Sequence, residues 1–199
     1  MSEVTCKVVF LIGFIAVCAI RVHFMQLVEQ NKVVDGRTTA QEKFLLILTF
    51  FGMFLLPLVG IFTPWFEFAS YDLPDWTGWV GEVVFMVAIW LFWRSHIDLG
   101  LNWSASLDIR ENHTLVESGV YKYIRHPMYA AFWLWGIAQA LVVHNWIYGL
   151  SYIVSFLPMY LLRVPQEEQM MLDTFGEQYQ EYIARTGRVI PMLKSASDL

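Results

Sequence analysis

The chain has 199 residues, of which 57% are hydrophobic and only 16% charged, with a mean hydropathy of +0.47 and a formal net charge of −5. Soluble domains carry about 25% charged residues, so the composition excludes an ordinary water-soluble domain. Without a basic stripe, it also speaks against a nucleic-acid-binding protein.

A bilayer core needs about 20 mostly apolar residues per helix. In the first candidate span, 7–26, the apolar run 8–20 is followed by Arg21-Val22-His23 rather than a small-residue cleavage site, so it reads as a retained helix and not a signal peptide. The second, 44–66, contains no charge. The third, 77–93, holds Glu82, which reads as a partner for a neighbouring helix. The fourth and fifth, 127–143 and 146–162, are separated only by His144 and Asn145, which predicts a tight antiparallel hairpin. Beyond them, Met170, Met171, Phe175, Tyr179 and Tyr182 approximate one helical stripe that would pack on the ends of the bundle. Cys6 and Cys18 form no disulfide framework, and the five His residues lack metal-ligand spacing, so no metal site is expected.

The expected architecture is an all-α integral membrane protein with five transmembrane helices. It is one membrane domain over 1–199: three spans within 1–101, then a core over 102–191 that includes spans four and five. Of the 13 Lys and Arg residues, only Lys7 falls on the side holding the N-terminus and the loops after spans two and four. The positive-inside rule then puts the N-terminus outside and the C-terminus in the cytoplasm. The loop with Glu67, Asp72 and Asp75 would face outward, while 113–129 and the helical tail share the cytoplasmic face.

Polar chemistry gathers in two places. "HTLVESGVYKYIRHPMY" spans 113–129, and "RVPQEE" begins at Arg163. Each has an ordinary explanation. His126-Pro127 is sound helix-start chemistry. Arg163 resembles a snorkelling anchor, and Glu167-Glu168 suit the first turn of a helix beginning at Pro165. Together they put a fixed cation and a carboxylate near the bilayer surface, where ionisable side chains usually face the protein interior. None of the GxGxxG, GxSxG or HExxH patterns occurs.

Taken in order, "HTLVESGVYKYIRHPMY", "RVPQEE", "FGEQYQEY" and "RVIP" resemble the isoprenylcysteine carboxyl methyltransferase family over roughly 102–191, in the form of its short five-helix prokaryotic-type members. The resemblance implies a membrane enzyme that transfers a methyl group from S-adenosylmethionine, with S-adenosylhomocysteine as product. The acceptor would be the carboxylate of a C-terminal prenylated cysteine or a similar lipophilic carboxylate, entering from the bilayer. It further implies that His113, Thr114, Leu115, Val116 and Tyr121 line the cofactor site, with His126, Pro127, Met128 and Tyr129 as a second wall. Glu167 would hold the cofactor's polar end and Arg163 the substrate carboxylate. These two are the candidate catalytic residues. Tyr123, Glu168, Tyr179, Tyr182 and Arg188 would support the site, and the active site would face the cytoplasm.

Three other readings compete. A phospholipid or amine N-methyltransferase would want a base, and Arg163 is a poor neighbour for a cationic headgroup. A nicotinamide-dependent membrane reductase would want a basic cluster for a cofactor phosphate. A non-enzymatic five-helix scaffold would account for the helices but not for the ordered polar motifs.

Overall fold

The computed structural model describes residues 3–29, 31–111 and 113–192. Helix α1 (Glu3–Glu29) is followed by strand β1 (Val33–Gly36). Helix α2 (Ala40–Phe50) continues through one π turn (Phe51–Leu55) into α3 (Leu56–Phe62). Pro57 lacks the amide an α-helix needs there, and a π turn is a common way to absorb such a defect. Helix α4 (Asp75–Leu99) ends at Gly100, which takes a left-handed φ of 54°. Strand β2 (Asp108–Arg110) pairs antiparallel with β1, Gly36 opposite Asp108, so the fold is helical with one small sheet rather than all-α. Helices α5 (Pro127–Val143), α6 (Ser151–Phe175) and α7 (Glu177–Arg185) complete the chain.

By length and composition, three helices among the described residues can cross a membrane: Lys7–Glu29, Ala40–Phe62 and Asp75–Asn102. Pro127–Val143 is apolar but shorter. Their outer faces carry large exposed apolar side chains, among them Ile12, Phe44, Ile47, Met86 and Ile137, as lipid contact requires. At one end Trp65, Phe68, Trp76, Trp79 and Trp146 are all exposed, the arrangement of an interfacial aromatic belt. The core between the helices is aromatic. Trp135 packs against Phe85 (4.4 Å between ring centroids), Phe54 (5.9 Å) and Phe10 (6.1 Å), tying α5 to α4, the π turn and α1.

Three expectations are corrected. The connection between α5 and α6 is not a two-residue turn but runs over 144–150, and α5 packs chiefly along α4. Asn145 organises that connection: its side chain donates to Phe66 O (2.7 Å) and accepts from the Ile147 amide (2.9 Å). No helix begins at Pro165, because α6 runs through both Pro158 and Pro165 to Phe175. Burial of Met159, Arg163, Val164, Glu168 and Met170 holds that face together across the missing amides. The tail stripe is divided between α6 and α7 by Gly176, whose φ of 53° breaks the helix.

Candidate functional site

A cleft of about 980 Å³, mouth included, opens where 113–129, the second half of α6, α7 and the stretch 102–108 meet. Its walls bring together His113, Thr114, Leu115, Val116, Tyr121, His126, Pro127, Met128, Tyr129, Arg163 and Glu167. Tyr179 and Tyr182 join them, whereas Tyr123 is exposed and Glu82 lies elsewhere along α4.

Local chemistry fixes the 113–129 segment. Asn102 accepts the Thr114 amide (2.8 Å) and donates to its hydroxyl (3.2 Å). Asp98, held by Arg94 at 2.9 Å, accepts the Val120 amide (2.8 Å). The chain reaches Asp98 through Gly119, where φ is 60° and a Cβ would collide with that carboxylate. The Tyr182 hydroxyl donates to Tyr121 O (2.7 Å). The amides of Arg125 and His126 donate to Gly187 O and Arg188 O, both at 2.9 Å, so the segment containing "RVIP" pins the entry to α5. Burial, with the nearby Arg110 charge, pushes the His113 imidazole below its ordinary value and favours its neutral form. Its Nδ1 is buried without a hydrogen-bond partner.

The adjacent glutamates divide their work. Glu168 turns away from the cleft and collects Arg125 (2.7 Å), His126 Nε2 (3.2 Å) and Arg188. Burial alone would raise the Glu168 carboxyl, but hydrogen bonds from His126, Arg188 and Arg125 outweigh it and hold the group far below the usual carboxylate range. Glu167 faces the cleft. Its Oε2 accepts from the Tyr129 hydroxyl (2.8 Å) and lies 3.9 Å from Arg163 Nε, and its Oε1 lies 3.7 Å from His126 Nδ1.

Arg163 is buried and already engaged. Its Nη1 lies 2.9 Å from Glu42 Oε1, and its Nη2 donates to Ala105 O (3.1 Å). Glu42, in the first turn of α2, is itself buried and accepts the Leu107 amide (3.2 Å). Glu42, Arg21 and Trp103 are site residues the sequence reading did not pick out. Arg21 lines the cleft from α1, its guanidinium 5.2 Å from the Trp103 ring centroid.

A second, apolar cavity of about 740 Å³, open space at its mouth included, lies between α1, α2, the π turn, α4, α5 and α6. Val17, Leu46, Phe50, Met53, Phe54 and Tyr152 line it, and it shares Arg21, Phe132 and Met159 with the cleft. A polar chamber and an apolar one thus meet at three side chains. Among the described residues, no three His, Cys, Asp or Glu side chains are placed to hold a metal.

The model of the isoprenylcysteine carboxyl methyltransferase family matches residues 79–173, a stretch that holds most of the cleft wall. Over this stretch the chain is similar to that family. The chain is 37% identical over 84 residues to the human protein-S-isoprenylcysteine O-methyltransferase, covering 42% of this chain and 30% of that protein. It is 31% identical over 116 residues to protein-S-isoprenylcysteine O-methyltransferase B of Arabidopsis thaliana, covering 57% and 55%. The chain therefore matches about half or less of the length of these relatives. The solved structure of the eukaryotic intramembrane Ras methyltransferase ICMT superposes with a TM-score of 0.52 at 23% identity, covering 80% of this chain and 55% of that one, and so shares its fold. Arg21, Glu42, Tyr179, Tyr182 and Arg188 lie outside the residues that match the family.

Proposed function

We propose that this chain is a membrane-embedded, S-adenosylmethionine-dependent methyltransferase whose acceptor is a lipophilic carboxylate, such as that of a C-terminal prenylated cysteine. The observation that carries this reading is the junction of the polar cleft with the apolar cavity at Arg21, Phe132 and Met159. A methyl acceptor that is half lipid and half anion needs both chambers side by side.

The side chains present fit the cofactor. Apolar Leu115, Val116, Met128 and Met170 suit an adenosyl group, and the Glu167 carboxylate suits an ammonium or sulfonium charge. The buried, unpartnered Nδ1 of His113 leaves a polar contact for a ligand to complete. When bound, S-adenosylmethionine supplies an electrophilic methyl group, and S-adenosylhomocysteine is left.

The residues of the chain would then bind and align. A terminal carboxylate has an ordinary pKa near 3.5, so at neutral pH it is already a nucleophile and needs no base. Tyr129 and Arg163 fix Glu167 at the cofactor's polar end. Arg163, held by Glu42 and Ala105 O, keeps positive charge near the acceptor site without binding the carboxylate itself, which keeps the nucleophile from being quenched. Orientation and exclusion of water by the aromatic wall would supply the acceleration, for which proximity contributes about 7–11 kcal/mol in favourable cases. In this reading α5 and the first half of α6 complete a five-span bundle, with the N-terminus outside and the cleft on the cytoplasmic face.

An amine acceptor fits less well, because three arginines, Arg21, Arg125 and Arg163, line the cleft where a cationic headgroup would sit. The test is methyl transfer from radiolabelled S-adenosylmethionine to N-acetyl-S-farnesylcysteine by the purified chain in detergent. Base-labile methyl ester is expected. Label in phosphatidylethanolamine instead would replace the carboxylate reading with the amine one.

A further inference from the structure

We infer that Arg21, on α1, is the residue that receives the acceptor's carboxylate, and that Glu42 leaves it that role by holding Arg163. This rests on the proposed carboxylate methyl transfer and assigns the substrate's polar end within it.

Three guanidinium groups line the cleft: Arg125 is paired with Glu168, whereas Arg21 and Arg163 are close enough for their charges to interact, but their surroundings differ. Arg163 has its carboxylate in Glu42 at 2.9 Å, a carbonyl partner in Ala105 and Glu167 at the far edge. A substrate carboxylate there would have to displace a buried, preformed ion pair. Among the described residues, no carboxylate pairs with Arg21, whose neighbours include the Trp103 ring, Tyr129, Tyr152 and the like charge of Arg163. A cation placed within an apolar helix, facing another cation, is costly unless an anion completes the site.

Position adds a second, independent observation. Arg21 belongs to the walls of both chambers. A lipid chain lying among Val17, Phe50 and Met53 would bring its polar end to Arg21, at the threshold of the cleft where the methyl donor sits. The planar fork of a guanidinium suits two parallel hydrogen bonds to one carboxylate.

The experiment measures binding of N-acetyl-S-farnesylcysteine and of its uncharged carboxamide to the purified chain, as wild type, Arg21→Gln and Arg21→Lys. S-Adenosylmethionine binding to the same samples is followed by calorimetry. The wild type is expected to prefer the carboxylate by about tenfold or more, the value of a charged hydrogen-bonded contact. Arg21→Gln should bring that ratio close to one while cofactor affinity stays within about twofold. Arg21→Lys, which keeps the charge but not the fork, should keep part of the preference, and it serves as the test should the Gln variant not fold.

Preference retained in Arg21→Gln, or absent in the wild type, would overturn the assignment. So would a cofactor affinity that falls while the carboxylate preference survives, because Arg21 would then serve the cofactor's own carboxylate. Failure of the wild type to bind S-adenosylmethionine would sink the methyltransferase reading, and the carboxylate ratio would still decide the role of Arg21.

Discussion

The hydroxyl of Tyr129, at the start of α5, donates a 2.8 Å hydrogen bond to Oε2 of Glu167 on α6. It ties the two helices together at the wall of the cleft and fixes the one carboxylate of the Glu167-Glu168 pair that faces inward. Tyr129→Phe should therefore weaken S-adenosylmethionine binding by about tenfold or more, the value of one hydrogen bond to a charged group. Glu167→Gln, which removes the charge as well, should cost more. Calorimetric titration checks both, and unchanged affinity in Glu167→Gln would remove that residue from the site.

Glu168 predicts a pH dependence with a definite sign. Its folded pKa lies far below the ordinary glutamate value near 4.3, so the unfolded chain takes up the proton first as pH falls. The stabilisation is complete above about pH 4.3 and is lost as pH falls from there through the depressed folded value. Glu168→Gln leaves the partly buried Arg125 without its anion and should cost about 3 kcal/mol at neutral pH. Thermal unfolding in detergent from neutral to acid pH should show the gap between wild type and variant narrowing as pH falls.

At Gly119 both the φ of 60° and the adjacent Asp98 carboxylate exclude a side chain. Gly119→Ala should cost about 1–3 kcal/mol of backbone strain, concentrated in the segment that lines the cleft. The expected outcome is weakened cofactor binding with helix content unchanged by circular dichroism. Wild-type affinity in the variant would show that this turn does not set the cleft.

Arg163 meets Glu42, Ala105 O and Glu167 along different edges of one planar group. An ammonium cannot reach all three, so Arg163→Lys should lower methyl transfer about tenfold or more. Glu42→Gln should lower it too, by freeing Arg163 to move. Turnover measured against cofactor affinity separates this effect from collapse of the cleft, because cofactor binding should change less than rate.

What the sequence exposes and what it hides follow from physical range. The apolar spans are legible because lipid demands long uncharged runs, and α2 with α3 has one. The wall formed by 113–129 is legible because its residues are neighbours in the chain. Glu42 is hidden for two reasons. Thr39-Ala40-Gln41-Glu42 has the pattern of a helix capping box, and Thr39 does cap the Glu42 amide at 3.1 Å, but the Glu42 side chain points inward to an arginine on α6. Arg21 has the look of a positive-inside flank until α1 is seen to run on to Glu29, which places it within the helix. The continuity of α6 through Pro165 is hidden because a proline ordinarily predicts a helix start or end, and only tertiary burial on both sides overrides it. Strands β1 and β2 are too short to carry a periodic signal and exist because they find each other across the chain.

The central claim is that the cleft binds S-adenosylmethionine, and calorimetric titration of that compound into the purified chain tests it most directly, with a Tyr129→Ala, Glu167→Gln double variant beside it. The account predicts saturable one-site binding to the wild type that is lost in the double variant while the helical signal is retained. Absence of binding to well-folded wild type, or equal binding to both proteins, would contradict it.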